Sequence, residues 1–107
     1  MENISSEQIE EMNGSLLLEF GAEWCDYCRA AQPLIKAALA KHPDIPHIKI
    51  EDGKGKRLGR QYGIKLWPSL IFIRDGKEIS RLVRPQNADI IAQHLADLEK
   101  PPSPDSQ

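Results

Sequence analysis

The chain has only two cysteines, Cys25 and Cys28, three residues apart in Trp24-Cys25-Asp26-Tyr27-Cys28. On a helix that spacing puts both thiols on one face. A thiolate at one can attack a disulfide, and the second can then attack the resulting mixed disulfide and free the reduced product. An apolar run, Ser15 to Phe20, hands over to a helical pattern here. Cys25 is therefore expected in the first helical turn, among backbone amides whose partial positive charge favours a thiolate. Cys25 reads as the nucleophile and Cys28 as the resolving thiol.

Three blander readings compete. A structural staple would close a loop too small to remove much unfolded-state entropy. A zinc knuckle would need two more ligands, and only His42 and His47 stand near in sequence. Two inert, buried thiols are the third reading. Spacing, strand-to-helix placement and cysteine scarcity together favour redox chemistry. No metal and no bound cofactor are expected, the redox group being the Cys25–Cys28 pair itself.

The elements that must hold this pair are legible as patterns. Ser5 and Gln8 form a capping box ahead of Ile9 and Met12, predicting a short first helix. Ser15 to Phe20 reads as a central strand covered on both faces. From Cys25 to about Ala40, Ala31, Leu34, Ile35, Ala38 and Leu39 recur at helical spacing with Pro33 inside, predicting a kinked helix. His47 to Glu51 alternates polar and apolar like a half-covered strand, so the two strands and their helical crossover form a βαβ unit with a parallel pair. Lys56 to Tyr62 reads as a short helix stopped by Gly63. Leu70 to Ile73 is an apolar strand, joined by the turn Asp75-Gly76 to an antiparallel strand, Glu78 to Val83. Asn87 caps a last helix striped by Ile90, Ile91, His94, Leu95 and Leu98. Residues 1–100 are expected to make a single domain, and the proline-rich 101–107 a disordered tail.

A chain of 107 residues, 40% hydrophobic, has room for one modest core. Its net charge of −2 offers no broad positive field for nucleic acid. The start Met1-Glu2-Asn3-Ile4 has neither a basic opening nor an apolar run of signal length, so an unexported protein with no membrane partner is expected. Two cysteines do not make a secreted disulfide framework, and a reducing compartment, the cytoplasm, fits. Lys54, Lys56, Arg57 and Arg60 lack a phosphate-loop frame and read as a solvated helix face. His42, His47 and His94 are scattered and none is assigned a ligand role.

Beyond the cysteines, the chain resembles the thioredoxin family from about Leu16 to Leu98. Leu18-Glu19-Phe20-Gly21-Ala22-Glu23-Trp24-Cys25 is similar to the strand and tryptophan that lead into a thioredoxin active site, and Pro33 matches the family's helix-kinking proline. Tyr62-Gly63-Ile64, Trp67-Pro68-Ser69-Leu70 and Asp75-Gly76 resemble the segment with the family's cis-proline and hairpin. The resemblance implies an α/β thioredoxin-like fold: a central mixed sheet of about four strands, the usual first strand short or missing, flanked by helices. A sheet so trimmed exposes an edge, with some tendency to pair, although a monomer is expected.

The resemblance also implies roles. Pro68 should be cis, facing the cysteines and leaving the backbone of residue 67 free to pair with an extended substrate, where an unrelated Xaa-Pro would be trans. Glu19 occupies the place of a buried aspartate that exchanges protons with the second cysteine, one methylene longer here. In an apolar strand its carboxyl should be raised and serve as a general base toward Cys28. Lys49 matches that acid's lysine partner, so Glu19 and Lys49 could instead form a buried ion pair without catalytic duty.

The pattern also departs from the family's. Asp26-Tyr27 replaces the usual Gly-Pro between the cysteines, and the Asp26 carboxylate opposes a neighbouring thiolate, with Arg29 able to offset part of this. A reducing rather than oxidising protein is expected. Trp67 is bulkier than the usual aliphatic residue before the proline. It either joins Trp24 and Tyr27 in an aromatic rim for apolar peptide segments or turns inward to fill core. The expected activity is reduction of protein disulfides, with regeneration by an external reductase such as a thioredoxin reductase. A thioredoxin-shaped peptide-binding module or chaperone without turnover is the alternative, and a glutaredoxin has only Tyr27 to recommend it.

Overall fold

A computed structural model describes residues 4–100. The tail 101–107, and the disorder expected of it, lies outside the described residues. Along the chain run α1 (Ser6–Glu10), β1 (Ser15–Gly21), α2 (Asp26–Ala40), β2 (His47–Glu51), α3 (Arg57–Gln61), β3 (Ser69–Arg74), β4 (Lys77–Val83) and α4 (Ala88–Glu99). The four strands form one mixed sheet in the order β2-β1-β3-β4. β1 runs parallel to β2 and antiparallel to β3, and β4 is antiparallel to β3. Among the described residues no strand precedes β1, and β2 is an edge of the sheet.

Local chemistry sets the boundaries. Ser5 Oγ accepts from Gln8 N at 3.1 Å while Gln8 Oε1 accepts from Ser5 N at 2.9 Å, the reciprocal box that starts α1. Asn87 Oδ1 accepts from Ile90 N at 2.9 Å and starts α4. Asp75 and Gly76, at φ 51° and 82°, make the tight turn between β3 and β4. α1 also comes close to Gly76, where a Cβ would lie 2.4 Å from Glu10 O. Helix α2 continues through Pro33.

β1 is apolar at most of its positions because both its faces are covered. Leu17 packs with Ala31, Ile35 and Ala38 of α2 and Ile91, Leu95 and Leu98 of α4. Leu16, Leu18 and Phe20 pack on the opposite face with Ile9 of α1, Ile50 of β2 and Leu58 of α3. Residues alternate across a strand, so Glu19 and Gly21 follow Leu17 onto the α2 face. The strand that carries the core thus also carries the acid beneath the cysteines. No helix among the described residues is long and apolar enough to cross a membrane.

Candidate active site

Cys25 is the N-cap of α2, with extended backbone at φ −81° and ψ 118°. Its Sγ accepts from Cys28 N at 3.2 Å, which places the sulfur where the helix amides converge. Both cysteines are buried free thiols, packed with Ala22 and, at the cluster's margin, Trp67. Burial pushes the Cys28 thiol up from 9.0 to about 11, aided by its hydrogen bond with Cys25 and by the charges of Cys25 and Glu19. Cys28 therefore holds its proton at neutral pH.

Gly21 is essential to this packing, for a Cβ there would lie 2.7 Å from Cys28 Sγ. A glycine between Phe20 and Ala22 gives no such hint in the sequence. Beside it, a cavity of about 190 Å³ is lined by Glu19, Gly21, Ala22, Cys28, Arg29 and Gln32, among others. It lies against both the Glu19 carboxyl and the Cys28 thiol and has room for water.

The partner of Glu19 differs from the expectation. Lys49 faces Glu19 in the strand register, but the side chain that bonds the carboxylate is His47, whose Nε2 lies 2.8 Å from Oε1. Gln32 Nε2 donates to the other oxygen at 2.6 Å and also to Cys28 O at 3.0 Å. Residues 47 and 49 share one face of β2, and Lys49 is exposed and makes no hydrogen bond or ion pair with the carboxylate among the described residues, while the half-buried imidazole does. The sign of the carboxyl's shift also reverses. Burial pushes it up, yet the hydrogen bonds from His47 and Gln32, with the charges of His47 and Lys49, outweigh burial and hold it below its ordinary 4.5. Glu19 is therefore a carboxylate at neutral pH, with Lys49 contributing through its charge and no bond.

Around the sulfurs, Asp26 is ion-paired with Arg29, and both side chains are exposed. The carboxylate that opposes a thiolate at Cys25 is thus matched by a neighbouring guanidinium. Trp24 and Tyr27 are 72% and 59% exposed and form the outer rim. Trp67 does part of each thing expected of it. One edge meets Trp24 at a centroid distance of 5.3 Å in a T-shaped contact, while Nε1 donates to Asp52 Oδ2 at 2.8 Å, which ties the half-buried indole inward.

The Trp67-Pro68 bond is cis. The backbone at residue 67 is not wholly free, however, because Arg84 Nε donates to Trp67 O at 2.8 Å, leaving the N–H of Trp67 without a partner among the described residues. Sequence reasoning missed His47, Gln32, Gly21, Asp52 and Arg84. Only His47 left a trace, in the alternation that puts it on the Lys49 face. No cluster of metal-ligating residues occurs among the described residues.

Comparisons with known proteins converge. A family model described as Thioredoxin matches residues 2–97. The chain is 33% identical over 84 residues to a thioredoxin of Chlamydia trachomatis serovar D, covering 78% of this chain and 82% of that protein. It is 32% identical over 84 residues to a thioredoxin of Chlamydia muridarum, with the same shares covered. Among solved structures, thioredoxin 2 from Pseudomonas aeruginosa PAO1 in its reduced form superposes with a TM-score of 0.81 at 41% identity, covering 91% of this chain and 90% of that one.

Proposed function

Because the chain belongs to the thioredoxin family and is a thiol:disulfide oxidoreductase, we propose that it reduces protein disulfides, with Cys25 as nucleophile and Cys28 as resolving thiol. The observation that carries this is the Cys25 sulfur at the α2 N-cap, accepting the N–H of a Cys28 whose own thiol keeps its proton. The Cys25 thiolate attacks one sulfur of the substrate disulfide, forming a mixed disulfide and expelling the first substrate thiolate. Cys28 then gives up its proton and attacks Cys25 Sγ, expelling the second substrate thiolate. The substrate gains two electrons and leaves as a dithiol, and the pair is left as a Cys25–Cys28 disulfide. An external reductase returns those electrons, and no bound cofactor takes part.

Glu19 is the base that takes the Cys28 proton, through water in the shared cavity. His47 and Gln32 hold its carboxylate in place, and Lys49 supplies a charge that favours its ionised form. Trp24, Asp26, Tyr27, Trp67 and Pro68 make the surface on which the substrate peptide lies. The protein acts as a monomer in the cytoplasm.

Insulin reduction tests the main reading. Wild type should precipitate insulin, Cys25→Ser should not, and Cys28→Ser should accumulate a mixed disulfide with the substrate. Equal precipitation by wild type and Cys25→Ser would leave only a peptide-binding module. For Glu19, resolution of a preformed mixed disulfide should slow by about a hundredfold in Glu19→Gln, the low end of general-base effects. An unchanged resolution rate would reduce Glu19 to a buried partner of His47.

A further inference from the structure

Arg84 follows β4 and adopts φ 51°, the left-handed region that disfavours residues with a Cβ. Two bonds hold it there. Its N–H donates to Pro68 O at 2.9 Å, and its Nε donates to Trp67 O at 2.8 Å. Its guanidinium carbon lies 3.9 Å from the centre of the Tyr27 ring. One residue thus grips the Trp67-Pro68 segment by both main chain and side chain and stacks on the rim beside the cysteines. An outlier fixed by its surroundings at a functional site points to a role there.

Its charge is unspent. Arg29 and Arg81 have carboxylate partners in Asp26 and Glu78, and Arg74 donates to the carbonyls of Asp97 and Leu98. Arg84 has no ion pair, and its Nη groups make no hydrogen bond, among the described residues. It borders a cavity of about 500 Å³ whose other walls include Tyr27, Ala31, Leu34 and Pro85, with no carboxylate among them. A half-buried guanidinium stacked on an aromatic ring, with free donors beside an open cavity that also carries Gln86, matches a carboxylate in both charge and forked geometry.

Resting on the reading that Cys25 attacks protein disulfides, we infer that Arg84 selects substrates in which an acidic side chain flanks the attacked cysteine. The peptide backbone pairs with the free N–H of Trp67, and the flanking carboxylate accepts from the Nη groups of Arg84 while Nε stays on Trp67 O.

The test uses peptides with one internal disulfide, identical except for Glu, Gln or Lys flanking the cysteines, and measures the second-order rate of their reduction by the full chain. Wild type should prefer Glu over Gln by about tenfold, the factor that one modest charge-assisted bond supplies, and the preference should shrink as salt rises. In Arg84→Gln the ratio should fall to near one. Arg84→Lys keeps the charge but not the fork and should fall between. Arg84→Gly removes the side chain while suiting the left-handed backbone, so it guards against misfolding and should give the same collapse. An equal Glu preference in the Gln and Gly variants, no preference in wild type, or an equal slowing on every peptide would overturn the inference. Reduction of the Gln peptide by wild type reports on the disulfide chemistry separately from the ratio, so the two readings can fail independently.

Discussion

On the face of β1 turned toward α1 and α3, Leu16, Leu18 and Phe20 are fully buried hydrocarbon. On the face turned toward α2, the series Leu17, Glu19, Gly21 passes from hydrocarbon to a carboxylate to no side chain at all. The same strand thus builds a plain core on one side and, on the other, gives up apolar contact to seat an acid and a sulfur. Burying a carboxylate is costly unless it is bonded, and here His47 and Gln32 supply the bonds. The site stands where packing was surrendered and polar satisfaction took its place. Substitutions on the first face should therefore change stability alone, and those on the second should change chemistry first.

The sharpest way to break that contrast is at its two extremes. Cys25→Ser should lower disulfide reduction on the order of a thousandfold or more, since serine offers no comparable nucleophile, while thermal unfolding shifts little. Phe20→Ala should do the reverse. Phe20 is fully buried and lies 5.6 Å from the Tyr62 ring, so its removal should cost about 3–5 kcal/mol in denaturant unfolding, with the rate per folded molecule kept. A loss of specific activity in Phe20→Ala below its unfolding transition would mean that the two faces are coupled after all.

Gly21→Ala probes the second face with a single methyl. Its Cβ would press on Cys28 Sγ at 2.7 Å, so the sulfur must move. Overpacking of this kind costs about 1–3 kcal/mol, and here it should also slow the resolving step, accumulating mixed disulfide as Cys28→Ser does. Wild-type resolution kinetics in Gly21→Ala would show that the sulfur's position is not critical.

How much of this was readable before the structure follows the same division. The apolar strands, the capped helices, the Asp75-Gly76 turn and the cysteine pair are short-range signals, and each sits in the structure where the sequence places it. The mixed four-stranded sheet and the cis Trp67-Pro68 bond were legible only through family resemblance, and the strand order came with the structure. What sequence could not supply is which of two like-facing residues on β2 reaches across to β1. Lys49 is the register partner of Glu19, yet His47, two residues earlier, makes the bond, because reach and solvation decide the matter after register has been set. The sign of the Glu19 shift was lost with the partner: a buried acid alone is raised, and the bonded imidazole and amide, with the charges of His47 and Lys49, lower it. Arg84 was illegible for a different reason, since its contacts depend on a left-handed backbone that nothing in Val83-Arg84-Pro85 signals.

The smallest expected effect sharpens the contrast through pH. Glu19 has a folded-state pKa below its unfolded value of 4.5, so the ionised carboxylate is bound more favourably in the folded protein. Its contribution is fully present above that value and is lost as pH falls from about 4.5 through the depressed folded-state pKa. In this acid window the unfolded chain takes up the proton first, and unfolding is favoured. Glu19→Gln cannot titrate, so its stability should fall less steeply than wild type between neutral pH and strongly acidic solution, whatever its absolute value at pH 7. Urea unfolding of both proteins across that range reads the difference in slope. Parallel curves would mean that the His47 and Gln32 bonds do not favour the charged form, and the polar face of β1 would then be no more ionic than the hydrocarbon face opposite.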